Sequence, residues 1–175
     1  MKRKRPINIF TCLLLCLMLM LCNTVQAQKL FFLFGHALYA SPVEQSFKDG
    51  YKYGAGVEGG AGIGWKKTFI TGTIGYTSFS NESGNSAGKV NLIPVKIGVR
   101  HYLLEKLLYL HGDLGIVSVK SEMMSSVQSK FSGDVGAGIK LGLLEVQLDY
   151  DGCSRSNPSG YNSWFALKAG FAIGL

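Results

Sequence analysis

Two groups of residues have the types and spacing that chemistry can use. Gly54, Gly56 and Gly59, inside YKYGAGVEGGAGIGW at 51–65, fit GxGxxG, the turn that brings backbone amides against a dinucleotide pyrophosphate. His111 and Asp113 lie two apart, a spacing at which a carboxylate can orient a histidine acting as a base. Both readings depend on the element that carries the residues. A nucleotide turn must follow a strand and open a helix. Here a period of two runs unbroken through the glycines to Trp65, so the nucleotide reading fails on context.

The start of the chain bounds the rest. Lys2, Arg3, Lys4 and Arg5 precede an apolar run from Ile9 to Leu21, and Val25, Gln26 and Ala27 close the segment. This is the pattern of a secretory signal, with cleavage expected after Ala27. A spanning helix is disfavoured because about 20 apolar residues are needed, and a lipid anchor at Cys22 is disfavoured by the bulky Leu21. The expected organisation is therefore a signal peptide at 1–27 and one domain at 28–175. Four of the 18 basic residues leave with the signal, so the mature chain sets 14 against 11 acidic residues. That weak positive balance, without a basic cluster interleaved with aromatics, argues against a nucleic-acid partner. Cys12, Cys16 and Cys22 leave too, and Cys153 alone cannot form an internal disulfide. It reads as a loop thiol, with a dimer bridge as the alternative.

Alternation of apolar and polar residues recurs in segment after segment, the signature of half-buried strands. Between Tyr51 and Trp65 the odd positions are apolar and the even ones are Lys52, Glu58 and glycine. Ile93, Val95, Ile97 and Val99 oppose Lys96, Gly98 and Arg100; Leu108, Leu110, Leu114 and Ile116 oppose Tyr109, His111 and Asp113. Val135, Ala137 and Ile139 oppose Asp134 and Lys140; Leu144, Val146, Leu148 and Tyr150 oppose Glu145, Gln147 and Asp149. Ile70, Ile74 and Tyr76 oppose Thr71, Thr73 and Thr77, and Phe165 to Ile173 oppose Trp164, Lys168 and two glycines. The first segment, KLFFLFGHALYA from Lys29, is apolar on both faces and leaves its parity unassigned.

Eight strands of about 10 residues, joined alternately by short turns and longer polar stretches, describe an all-β, antiparallel, up-and-down transmembrane β-barrel. The short turns are expected at 66–67, 103–106 and 141–143, and the long loops at 41–50, 80–88, 120–129 and 151–160. A charge facing lipid near the midplane costs about 2–4 kcal/mol, so the charged, glycine-rich parity must face inward. A soluble sandwich would hide the apolar parity instead. Aromatics at strand ends favour the barrel: Tyr51, Tyr53, Phe79, Tyr150 and Tyr161 towards the loops, and Trp65, Phe69 and Phe171 towards the turns, are expected to form interfacial girdles. An eight-stranded interior is just wide enough for side chains to fill. The glycines are then expected to make room for inward groups such as Lys96, Arg100, Tyr109 and Trp164. Glu58, Lys96, Arg100, Asp113, Asp134, Lys140, Glu145, Asp149 and Lys168 are the expected lumen charge network, with hairpin register suggesting Lys140 beside Glu145 and Lys96 near Asp113.

In this pattern the mature chain resembles the small outer-membrane β-barrel proteins of Gram-negative bacteria, of the outer-membrane protein A and opacity type. The resemblance implies a place in the cell outer membrane among lipid and lipopolysaccharide, insertion by the barrel assembly machinery, and long loops offered to a surface ligand. The chain departs from the aromatic terminal residue common in that group, ending in Leu175 with Phe171 its nearest aromatic. No peptidoglycan-binding module is expected after Leu175. Some barrels of this size modify lipid A, and the deacylase family carries a His and a Ser two residues apart. Here His36, His101 and His111 are followed at that spacing by Leu38, Leu103 and Asp113. The histidines are also too dispersed for a metal site. The sequence thus points to a non-enzymatic barrel, without cofactor or metal, in a structural or surface-interaction role. A narrow channel for small or hydrophobic solutes is the alternative, and a lipid A-modifying enzyme a more distant one.

Overall fold

A computed structural model of the chain describes residues 31–81, 88–104, 107–122, 126–156 and 159–174. The expected signal segment, 1–27, lies outside these residues. Eight antiparallel strands close into one barrel in chain order, with β1 (Phe31–Pro42) paired to both β2 (Tyr51–Trp65) and β8 (Ser159–Gly174). Between them run β3 (Thr68–Asn81), β4 (Val90–Leu104), β5 (Leu108–Ser121), β6 (Gln128–Leu141) and β7 (Leu144–Ser156). A single helical turn, α1 (Gln45–Lys48), follows β1. Lys66, at φ 56°, and Gly142, at φ 64°, supply the left-handed residues of the tight β2–β3 and β6–β7 turns.

The parity expected from charge cost is the one observed. Aliphatic side chains cover the outside: Ile63, Ile97 and Leu144 are 63, 65 and 69% exposed. Lys96, Arg100, Asp134, Glu145, Asp149 and Lys168 are buried inside. The outward positions of the described strands carry no Asp, Glu or Arg, and their single Lys, Lys120, stands at the loop end of β5. An apolar surface that encircles the molecule exceeds the few hundred Å² that soluble monomers expose and fits a lipid surround. Closure also assigns the first strand: Phe32, Phe34, His36, Leu38 and Ala40 face in, whereas Leu33 and Tyr39 face out.

Three expectations are corrected. The strands run to 12–16 residues, longer than the apolar pattern suggested. Above the belt, outward positions such as Ser80, Ser118 and Ser154 are polar, while backbone pairing continues without needing apolar side chains. As a result, 151–160 is mostly strand: Asp151 to Ser156 extend β7, paired to β8 from Trp164 back to Ser159. Cys153 accordingly lies buried in β7 and not in a loop. Finally, Phe69 and Phe79 share parity with Thr71 and Thr77 and point inward, 4 and 0% exposed, and Tyr51 packs against the inner cluster. The exposed aromatics left to the girdles are Tyr53, Tyr150 and Tyr161 at one end and Trp65 and Phe171 at the other.

The glycines of β2 have specific partners, different from those expected. Gly54 is the Cα partner of Phe79, Gly60 of Phe34, Gly62 of Phe32 and Gly64 of Phe69. Each ring lies over the glycine directly across the ladder, covering backbone that lacks a side chain of its own. A Cβ added at Gly62 would stand 2.2 Å from the Phe32 ring, and one at Gly138 2.2 Å from Tyr109, its partner on β5. Gly62→Ala should therefore lower stability by about 1–3 kcal/mol through overpacking. Val57→Arg, placed on the outer face, should cost about 2–4 kcal/mol in a bilayer, where a water-exposed site would tolerate it. Both are read from urea titrations of the refolded barrel in phosphatidylcholine vesicles, scored by the gel mobility of unheated against boiled samples.

Candidate functional site

The inward side chains form three layers. At the turn end, Phe32, Phe34, Phe69, Tyr102, Tyr109 and Ala172 pack together, with edge-to-face contacts of 5.2 Å between Phe32 and Phe69 and 5.8 Å between Phe69 and Tyr102. At the loop end, Phe47 from α1 drops into the barrel mouth against Phe79 and Trp164, at centroid distances of 4.9 and 5.8 Å. The Glu44 carboxylate caps α1 by accepting from the Phe47 amide at 2.9 Å, and Arg155 donates to Ser46 Oγ and reaches Glu44 at 3.5 Å. Leu38, Leu92, Val117 and Val119 complete that layer.

Between the two lies a charged belt to which all eight strands contribute. Lys168 Nζ donates to Glu58 Oε2 at 2.6 Å and sits 2.7 Å from Asp149 Oδ2. Lys96 Nζ donates to Asp134 Oδ2 at 2.6 Å and Asp151 Oδ1 at 2.8 Å. Arg100 donates to Glu145 Oε1 at 2.8 Å while its guanidinium lies over the rings of Phe32, Phe34 and Tyr109, joining the belt to the aromatic layer below. The Tyr109 hydroxyl donates to the same Glu145 oxygen at 2.5 Å, and that of Thr71 to Asp113 at 3.1 Å. His111 presents Nδ1 to Asp113 and Nε2 to Asp149, both at 2.8 Å. His36 Nδ1 lies 3.0 Å from Glu58, and its Nε2 is within 3.3 Å of Glu145 but misaligned for a hydrogen bond.

The electrostatics follow from a count. Glu58, Asp113, Asp134, Glu145, Asp149 and Asp151 are six carboxylates against the fixed cations Lys96, Arg100 and Lys168. A carboxylate oxygen only accepts when ionised. Where Asp113 and Asp149 are both ionised, His111 donates to each of them and counts as a further cation. Both of its nitrogens are thus already engaged by carboxylates. The donor atoms of His111, Asp113 and Asp134 lie within 4.8 Å of one another. However, His111 directs its Nδ1 at Asp113, and Lys96 already holds Asp134.

Of the nine residues singled out by sequence, the structure brings eight into the belt and leaves Lys140 apart. Lys140 is the Cα partner of Glu145, but its Nζ donates to Ala172 O at 2.7 Å, and Arg100, Tyr109 and His36 surround Glu145. Nor does Lys96 take Asp113: it is paired in register with Gly115 and crosses the lumen to β6 and β7. In so narrow an interior the opposite wall is within reach of a long side chain, so hairpin neighbours do not dictate partners. Sequence reasoning missed Asp151, hidden in an assumed loop, and His36, on the strand of unassigned parity. Lys168→Met should cost about 3–5 kcal/mol because it takes from the buried Glu58 and Asp149 the ammonium they share, leaving only His36 and His111 beside them. Lys140→Met, whose described side-chain hydrogen bond is to the Ala172 carbonyl outside the belt, should cost less, about 0.5–1.5 kcal/mol. Urea titration in vesicles separates the two.

No protein-family model matches the sequence, and no curated protein matches it. Solved structures do match in shape. The chain is similar to Neisserial surface protein A, at 14% identity and a TM-score of 0.60, over 83% of this chain and 97% of that one. It is similar to the N-terminal β-barrel domain of Pseudomonas aeruginosa OprF, at 13% identity and 0.57, over 81 and 97% of the two chains. The outer membrane protein Ail of Yersinia pestis, in a phospholipid bilayer nanodisc, aligns at 18% identity and 0.50, over 81 and 99%. The fold of this chain is therefore that of the small eight-stranded outer-membrane β-barrels.

Proposed function

We propose that residues 28–175 form a non-enzymatic integral protein of the cell outer membrane, exported by the signal at 1–27, whose filled lumen serves stability and whose loop end serves contact with the surroundings. The observation that carries this reading is the packing of the lumen. Apart from the mouth, the cavities described inside the barrel are about 20 Å³ beside Lys96 and Asp151 and about 10 Å³ beside His111 and Lys168. Those volumes hold about one water each, with an aromatic layer above and another below. A continuous path for solutes would require Arg100, Glu145, Lys168 and their partners to separate, exposing buried charges to one another's loss. The doubly engaged His111 supports the non-enzymatic part of the reading.

Lipid and lipopolysaccharide are the proposed surroundings of the apolar exterior, and the barrel assembly machinery its proposed route of insertion. The test is electrical. Purified barrel reconstituted into planar bilayers should leave the membrane at its lipid-only conductance under applied voltage. Reproducible stepwise openings would replace this reading with that of a narrow channel.

A further inference from the structure

The mouth of the barrel holds an open cavity of about 360 Å³, within the range of about 300–1,000 Å³ typical of small-molecule sites. Its floor and one wall are apolar: Leu92 and Val119, both buried, with Cys153 and the rings of Phe47 and Tyr51. Its rim carries Lys130 and Arg155, together with the amides of Gln128 and Asn162, and no carboxylate among the described residues lines it. The two cations stand differently. Arg155 is fixed against α1 by Ser46 and Glu44. Lys130 shares the inward parity of Ser132 and Asp134, is only half-buried, and has no carboxylate paired with it among the described residues. Every other lysine or arginine in the lumen's charged belt is engaged by at least one carboxylate.

We propose that this vestibule binds a small amphipathic monoanion, an aromatic or short aliphatic body seated on Leu92, Val119 and Phe47 with its carboxylate or sulfonate turned to Lys130. Size and charge together select that class. A two-chain phospholipid is too large for the cavity, a bare inorganic anion would leave the apolar floor wet, and a neutral hydrophobe would leave Lys130 without a partner. Arg155 borders the site as a positioning residue, holding α1 and so the Phe47 wall in place. The filled belt beneath closes the site at its inner end, so the ligand enters and leaves by the same opening.

The test uses the full mature barrel in phosphatidylcholine nanodiscs and 1-naphthoate as probe, followed by calorimetry against empty nanodiscs. One saturable site is expected, and 1-naphthol, the neutral analogue, should bind about ten-fold or more weakly. Lys130→Gln should lose about ten-fold or more in affinity for naphthoate, as expected for one charge-assisted hydrogen bond, and leave naphthol unchanged. Val119→Trp, which fills the cavity, should abolish binding of both. Bound naphthoate should also slow alkylation of Cys153, the cysteine of the floor, by N-ethylmaleimide. Lys130 is half-exposed at the rim, so its variant keeps the test valid even where Val119→Trp fails to refold. No heat beyond that of empty nanodiscs, equal affinity for acid and alcohol, or indifference to Lys130→Gln would each overturn the proposal. None of these results bears on conductance, which tests the sealed lumen separately.

Discussion

Closure of eight strands fixes an interior too narrow for bulk water, and the structure is organised around that constraint. Charges excluded from the lipid face have nowhere to go but inward, and once inside they lack a solvent shell. They must then satisfy one another. Close charge contacts carry most of this in two runs, Arg100 to Glu145, His36 between Glu145 and Glu58, Lys168 from Glu58 to Asp149 and His111 from Asp149 to Asp113, then Lys96 from Asp134 to Asp151, with Arg100 Nε and Glu145 Oε2 left without a hydrogen bond among the described residues. Such a network is coupled, because removing one member leaves its neighbours with a buried charge unmatched. Asp134 Oδ1, within 3.4 Å of His111, links the two halves without a hydrogen bond of its own.

Layering follows from the same constraint. Low dielectric strengthens the belt's interactions, and the aromatic clusters above and below keep water from its ends. Arg100 belongs to both environments, using its charge on Glu145 and its flat face on three rings. Lysine could not do both, since an ammonium has no planar face to stack. The geometry of that boundary therefore depends on residue identity, whereas the outer belt depends only on apolar character.

Much of this was legible in the sequence, and what was not has physical causes. Alternation gave strand number, parity and the inward set, because the energy that enforces it acts residue by residue. Phe69 and Phe79 were misplaced by weighing position along the strand over parity, although Thr71 and Thr77 already assigned them inward. The upper strand extensions were invisible because backbone pairing above the lipid needs no apolar pattern. Charge partners were unreadable for a different reason. Register fixes neighbours along the wall, but Lys96 reaches across the lumen to Asp134 and Asp151, and that reach depends on how every other inward side chain fills the space.

The glycine-rich β2 shows how far the filling is shared between strands. Between Gly54 and Gly64 this strand offers the interior only glycine positions apart from Glu58, and β1 and β3 lay Phe32, Phe34, Phe69 and Phe79 over them. Glycine alone in a strand weakens it, yet here the missing side-chain volume is supplied by the residue opposite. The same exchange recurs where Tyr109 covers Gly138, and where Asp113 and His111 occupy the space over Gly98 and Gly136. Large and absent side chains thus alternate around the wall as well as along it. That arrangement lets a barrel of minimal strand number hold both a buried ionic chain and two aromatic layers. It also explains why the glycines of 51–65 imitate a nucleotide-binding loop: close approach is required in both cases, to a phosphate there and to a neighbour's ring here.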